Sequence, residues 1–204
     1  MTMAPAPNRG GRRAPRIVAG VVPEARLEDT GSGVVPVSEG WFVLNARDAR
    51  WLRRPGRGLS LPLTGWTAEE AETLFPQLGM NLWVIEPGDP LAMYHHEPEQ
   101  EGILVLAGEA LLLVEGQERP LRQWDFAHFP PGTRHTVVGA GTGPCVVLAV
   151  GSRQFQASGP PGAYTVDAAA LRHGAGVAEE TSDAGEAYAR FPRAQPARYA
   201  DGTL

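Results

Sequence analysis

The 204-residue sequence contains no lysine, a single cysteine and no long apolar run, and each absence excludes a class of function. All 18 basic residues are arginines, which excludes a Schiff-base lysine and the lysine of a phosphate-binding P-loop. Because Cys145 is the only cysteine, an internal disulfide and a multi-cysteine zinc or iron–sulfur site are also excluded. No stretch approaches the roughly 20 apolar residues that span a bilayer. We therefore expect a cytoplasmic protein without a membrane partner.

The charge balance argues against nucleic acid as a partner. The 18 basic residues are outnumbered by 23 acidic ones, which leaves a net charge of −5 at pH 7. Binding to a phosphate backbone depends on a basic surface that this composition does not supply. The one arginine-rich stretch, with Arg9, Arg12, Arg13 and Arg16, is short and isolated, and we expect a solvated tail there.

Glycine and proline are abundant, with 25 and 19 residues, and this indicates a chain with many turns. Short apolar, β-branched or aromatic runs alternate with turn residues along the middle of the chain. Such a pattern is typical of an all-β fold, an antiparallel sandwich or small barrel. The predicted strands are residues 40–45, 81–86, 91–95, 103–107, 110–115, 125–129, 135–138 and 145–150.

Three parts are predicted along the chain. Residues 1–38 are expected to form a flexible N-terminal arm, residues 39–151 the β-barrel domain, and residues 152–204 a helical or irregular appendage. A capping box at 67–70 predicts one short helix before Pro76, and Asp167 and Asp183 are predicted N-caps of two more. Because barrels of this kind expose sheet edges that donated arms often cover, we expect a homodimer.

Four of the five histidines fall within 41 residues of the strand-rich region, and two stretches there carry recognisable spacing. From Gly88 to Gly108 the sequence resembles the first signature of the cupin superfamily: Gly, five residues, His-x-His, three or four residues, Glu, six residues, Gly. Gly88 is followed by five residues, and Glu101 is followed by six and then Gly108.

The second cupin signature is similar to residues 124–139. Its pattern is Gly, five residues, Pro-x-Gly, two residues, His, three residues, Asn. Pro130, Gly132 and His135 match, while Trp124 stands in place of the first Gly and Gly139 in place of Asn. Fifteen residues separate the two signatures, as in short single-domain cupins. The resemblance implies a jelly-roll β-barrel whose interior holds a divalent transition metal, Fe, Mn, Ni, Co or Zn.

Two registers place the implied metal ligands differently. Counted from Gly88, the His-x-His positions are Tyr94 and His96, and the ligands would be His96, Glu101 and His135. Strand alternation turns either this pair or the neighbouring pair towards the barrel interior, but not both.

Counted back from Glu101 with three intervening residues, the positions are His95 and Glu97, and the ligands would be His95, Glu97, Glu101 and His135. This second register is favoured because all four groups ligate metals, and its two carboxylates favour Mn or Fe over Cu. Pro98 interrupts any regular strand here, so Glu99 is expected in a solvated loop.

The aromatic residues and methionine near the motifs have two interpretations. They could line a pocket for a small ligand, but for most of them a place in the barrel core is favoured. The residues concerned are Trp83, Met93, Tyr94, Trp124 and Phe126.

The leading functional hypothesis is a metal-dependent small-molecule enzyme, either an oxygenase or an isomerase, in which the metal acts as a Lewis acid on an oxygen-bearing substrate. The alternative is a cupin that binds or senses a small metabolite without converting it. Fold resemblance alone does not separate these hypotheses.

Overall fold

The short apolar runs fold into antiparallel strands, and the all-β prediction is confirmed. The structure is a computed structural model that describes residues 22–64, 77–153 and 162–200. Within these ranges no helix is long and apolar enough to cross a membrane. The described strands are β1 (Leu27–Asp29), β2 (Val34–Pro36), β3 (Trp51–Arg54), β4 (Gly58–Pro62), β5 (Leu78–Ile85), β6 (His95–His96), β7 (Glu101–Ala107), β8 (Glu109–Val114), β9 (Gln117–Arg122), β10 (Phe126–Phe129), β11 (His135–Ala140), β12 (Cys145–Ser152), β13 (Ala163–Tyr164) and β14 (Gln195–Ala197), and the helices are α1 (Ala168–Arg172) and α2 (Ala184–Ala187).

Two sheets form the barrel, and the chain crosses repeatedly between them. One sheet has the strand order β10-β7-β12-β5-β4-β3-β14, and the other has the order β13-β6-β11-β8-β9. From β7 to β8 and again from β10 to β11 to β12, the chain leaves one sheet and enters the other. This is the jelly-roll arrangement that the two signatures predicted.

The main core lies between the two sheets. It contains Ile103, Val105 and Val147 from the larger sheet and Leu112 and Val137 from the smaller one. On β7 the buried residues alternate with partly exposed ones, because successive side chains point to opposite faces of a strand. Cys145 is also fully buried in this core, as expected for a small apolar residue.

Two predicted strands are wrong, and one strand without an apolar pattern is present. In residues 40–45, Trp41 makes only an isolated bridge to Glu24, and of residues 91–95 only His95 lies in a strand. β9, with the sequence QERPLR, is mostly exposed and pairs with β8 at the edge of its sheet. Its polar residues and Pro120 gave no strand signal, because an edge strand needs no buried face.

The segments on either side of the barrel contain regular structure. β1 and β2 pair with each other within the predicted arm, and β14 pairs with β3 in the larger sheet. The predicted N-caps are confirmed, because Asp167 accepts a hydrogen bond from the Ala170 N–H and Asp183 accepts one from the Gly185 N–H. The predicted helix at 67–76 and the arginine-rich stretch lie outside the described residues. The boundaries at residues 38 and 151 remain predictions.

The expected core position is wrong for two of the aromatic residues. Trp124 and Phe126 are 68% and 66% exposed, whereas Met93 and Tyr94 are buried. Trp124 lies just before β10, whose buried residue is Phe129.

Candidate metal centre

Two neighbouring strands bring His95 and His135 together. β6 and β11 pair so that these two residues lie directly opposite one another, with ring centroids 5.2 Å apart. Both rings lie on the barrel interior, where the His135 side chain is 4% exposed and that of His95 is 14% exposed. Phe129 stacks on the His135 ring at a centroid distance of 3.7 Å and helps to fix its orientation.

Backbone carbonyls fix the tautomer of both imidazoles. His95 Nδ1 lies 2.8 Å from the carbonyl oxygen of Met93, and His135 Nδ1 lies 3.0 Å from that of Thr133. Because a carbonyl only accepts, each Nδ1 carries the hydrogen and donates, and each Nε2 keeps its lone pair. Burial lowers the pKa of His95 to about 4 and also lowers the pKa of His135, so both rings are neutral at pH 7.

Glu101, the first residue of β7, brings a carboxylate from the other sheet. Its Oε2 atom is 3.5 Å from His135 Nε2 and 4.0 Å from His95 Nε2. Among the described residues no hydrogen bond reaches this buried oxygen. Burial, followed by the charges of Glu97 and Glu99, raises the pKa of Glu101 to about 7.

The remaining predicted residues occupy different positions around this group. Glu97 Oε1 lies 4.0 Å from His95 Nε2, and burial raises the pKa of its carboxyl. Both His95 and Glu97 line the barrel cavity, whereas His96 is not among its lining residues. Tyr94 is buried outside the cavity against Leu113 and helix α1. The chain therefore turns the residues of the second register towards the interior.

Glu99 lies in a loop, as expected, but the expectation that it is solvated is wrong. Its side chain is only 5% exposed. Arg153 lies near enough for the Glu99 charge to favour its charged form, so the carboxylate is buried close to a cation. Its charge in turn helps to raise the pKa values of Glu97 and Glu101.

The donor atoms suit a transition metal. One ligand atom from each of His95, Glu101 and His135 lies within 4.8 Å of the others. Metal–ligand bonds of about 2.0–2.2 Å place neighbouring donor atoms about 3–4 Å apart, close to the separations found here. Two imidazole nitrogens and a carboxylate oxygen form a donor set that Fe, Mn, Ni and Zn all accept. The buried Glu101 oxygen, which receives no hydrogen bond from the described part of the chain, also fits this role.

The same cavity has a second polar end that the sequence motifs did not indicate. The cavity has a volume of about 240 Å³, and Arg57 contributes to its wall. Arg57 lies in the turn between β3 and β4, is 6% exposed, and donates a hydrogen bond from Nη2 to the Leu91 carbonyl oxygen. Its guanidinium lies over the rings of Tyr188, at 4.3 Å, and Trp83, at 5.3 Å. A lone arginine between two short strands carries no sequence signal of such a position.

Comparisons with known proteins cover the part of the chain that builds this site. Residues 81–151 match the family model described as "Cupin domain". A comparison with curated proteins gives no match.

Several solved structures are similar to parts of the chain. One is a provisionally named sugar phosphate isomerase from Acidithiobacillus ferrooxidans, 31% identical over 48% of this chain, with a TM-score of 0.39. The chain spans only 62% of the length of that protein. A sugar phosphate isomerase of the cupin superfamily from Silicibacter pomeroyi is 28% identical over 61% of this chain and 74% of its own, with a TM-score of 0.42.

A third structure, a Cupin 2 conserved barrel domain protein from Salinispora arenicola, is 28% identical over 45% of this chain and 72% of its own, with a TM-score of 0.37. The family match begins in β5 and ends in β12, and it contains both signatures and the His95, Glu101 and His135 group. Through residues 81–151, the chain belongs to the cupin superfamily.

Proposed function

We propose that this chain is a metal-dependent enzyme that acts on a small oxygen-bearing molecule in the barrel cavity. His95, Glu101 and His135 would hold the metal, Fe, Mn, Ni or Zn, with Glu97 as a fourth ligand or as a neighbouring base. The observation that carries this proposal is the buried Glu101 oxygen, which receives no hydrogen bond from the described residues and faces two Nε2 lone pairs at 3.5 and 4.0 Å.

When bound, a divalent metal would supply Lewis-acid polarisation of a substrate oxygen. The residues of the chain orient and protect the site. The Nδ1–H groups of His95 and His135 donate to backbone carbonyls and keep both rings aimed at the cavity. The surrounding apolar core, including Ile103 and Val137, limits the access of water on that side of the cavity.

Glu97 distinguishes the two reaction types. An isomerase that moves a proton between neighbouring carbons needs a base that takes the proton from one carbon and returns it to the other. Glu97 lines the cavity beside His95, and its raised pKa suits a group that both accepts and donates a proton. An oxygenase does not need this group.

Turnover with a panel of small hydroxy acids and sugar phosphates tests the proposal. The protein as purified, the chelator-treated protein and the protein with metal restored would be incubated with each compound, and products followed by proton NMR. Conversion that disappears with chelator and returns with metal supports the enzyme. Binding without conversion by metal-loaded protein would support the metabolite-binding alternative instead.

The Glu97→Gln variant then identifies the role of that carboxylate. Retained metal with lost turnover indicates an isomerase in which Glu97 transfers the proton. Retained metal with retained turnover indicates the oxygenase type, and lost metal identifies Glu97 as a ligand.

A further inference from the structure

We infer that the substrate is a small anion, a carboxylate or a phosphate ester, whose charged group binds Arg57 while another of its oxygens faces His95, Glu101 and His135. Only the contact with His95, Glu101 and His135 rests on the proposed function, and the contact with Arg57 does not. It assigns a specificity role to an arginine that lies outside both sequence signatures.

Arg57 is built into the cavity wall. Its side chain is 6% exposed, and it shares the cavity lining with His95, Glu101 and His135. A guanidinium carries N–H donors in a planar fork that matches the oxygens of a carboxylate or phosphate, and Nη2 of Arg57 also donates to the Leu91 carbonyl oxygen. A cation in this position favours negative charge in the ligand.

Aromatic rings hold the guanidinium in place. The Arg57 Cζ atom is 4.3 Å from the Tyr188 ring centroid, 5.3 Å from that of Trp83 and 5.8 Å from that of Phe191. The electron-rich faces of aromatic rings stabilise a cation that has lost much of its hydration. The Tyr188 hydroxyl also accepts a hydrogen bond from the Met93 N–H at 3.2 Å, which fixes the ring on its other side.

The aromatic residues also connect the two ends of the cavity. The Tyr188 ring meets that of Tyr164 edge to face at 5.4 Å, and the Tyr164 ring lies 5.8 Å from that of His95. One end of the cavity thus offers a fixed cation and the other offers nitrogen and carboxylate donors. The cavity volume of about 240 Å³, room for about eight waters, suits a small molecule that contacts both.

Matched pairs of charged and neutral probes test the inference on the wild-type protein as purified. L-lactate and lactamide differ in the carboxylate, and glycerol 3-phosphate and glycerol differ in the phosphate. We expect calorimetry to show about tenfold or greater preference for the anion in at least one pair, because hydrogen bonds between a guanidinium and an anion are stronger than those to a neutral group. The pair that responds identifies the anion as carboxylate or phosphate. Equal affinities in both pairs, or no binding of any probe, would overturn the inference.

Variants assign the preference to Arg57. Arg57→Gln is expected to lose the preference and Arg57→Lys to keep part of it, while Arg119→Gln, the same change at an exposed arginine of β9, keeps all of it. An unchanged preference in Arg57→Gln would overturn the assignment. If that variant does not fold, the wild-type probe pairs still decide. Metal content is measured on the same samples, so failure of the metal proposal appears as missing metal and failure of this inference as missing charge preference.

Discussion

The two ends of the cavity are built from different parts of the chain, so the proposed chemistry and the proposed specificity depend on different segments. The first end, called the metal end after its proposed role, uses His95, Glu101 and His135, which belong to the two cupin signatures and lie on the barrel strands. The other end uses Arg57 from the β3–β4 turn and aromatic residues from the C-terminal segment, including Tyr188. In the proposed function, the first end would hold the metal and the second would select the substrate.

The largest expected effect is on metal affinity. His95→Ala should weaken metal binding by at least about 100-fold, because even the loss of a group that merely orients a ligand costs about 10–100-fold. His96→Ala, next to it in β6 but outside the cavity lining, should change the affinity less than about threefold. Titration of metal-free protein with Zn²⁺ or Mn²⁺ checks this pair. The reverse pattern would establish the first register.

A smaller effect, on the free energy of unfolding, is expected for Glu101→Gln in metal-free protein. The ordinary pKa of a glutamate is 4.5, and burial raises that of Glu101 to about 7. The native state therefore holds this proton more tightly than the unfolded state, and stability falls as pH rises from about 4.5 to about 7. Above pH 7 the glutamine variant should be more stable by about 2 kcal/mol, after allowance for partial exposure.

Denaturant unfolding at pH 8 and pH 4 checks the glutamate prediction. The extra stability of the glutamine variant should appear at pH 8 and vanish at pH 4, where the Glu101 carboxyl is largely protonated in both the folded and the unfolded state. Added metal should reverse the order at pH 8, because only the wild type keeps the ligand. A gain that is equal at both pH values would contradict the assigned cause.

At the Arg57 end, two substitutions of Tyr188 separate its ring from its hydroxyl. Tyr188→Phe keeps the ring over the guanidinium, and Tyr188→Leu removes it. The leucine variant should be less stable than the phenylalanine variant by about 1 kcal/mol, which is the usual size of a partly buried cation–π contact. Urea unfolding measures the difference, and both variants should retain metal. Loss of metal in either Tyr188 variant would show that metal binding depends on the residues around Arg57.

The proximity of Glu101 and His135 could be predicted from the sequence, because the spacing of the signatures reflects constraints on the backbone. Gly108 has φ of +75°, and a Cβ atom there would come within 2.5 Å of the Pro144 carbonyl oxygen. Gly108 follows the last residue of β7, the strand that Glu101 begins, and β11 begins at His135. The fold and the strand positions of Glu101 and His135 were therefore accessible from local sequence constraints.

Strand alternation alone could not decide the register, which was favoured on ligand chemistry instead, and nothing in the sequence indicated the second end. β6 contains only two residues, and the residues before it are irregular. Counting from Gly88 therefore predicts Tyr94 and His96 on the interior side, which is wrong. Tyr94 is consequently buried outside the cavity. Arg57 reaches the cavity through tertiary packing against Tyr188 and Phe191, more than 100 residues away in sequence. Composition and spacing do not report such contacts.

The smallest expected effect concerns Trp124, which stands where the second signature has glycine. Its φ of +74° lies in the left-handed region that glycine adopts freely, and its ring is 68% exposed. Trp124→Gly should relieve about 1–2 kcal/mol of backbone strain and lose up to about 1 kcal/mol to chain entropy. Thermal unfolding should show a net gain of about 0.5 kcal/mol with unchanged metal content. A loss of stability would indicate a packing role for the exposed ring.

Metal content tests the central claim most directly. Protein purified without an affinity tag or chelator would be compared by elemental analysis with His135→Ala and with His128→Ala, the same change at an exposed histidine of β10. We predict about one equivalent of Fe, Mn, Ni or Zn in the wild type and in His128→Ala, and almost none in His135→Ala. Equal metal content in all three proteins, or none in the wild type and no uptake on addition, would contradict a metal centre at His95, Glu101 and His135.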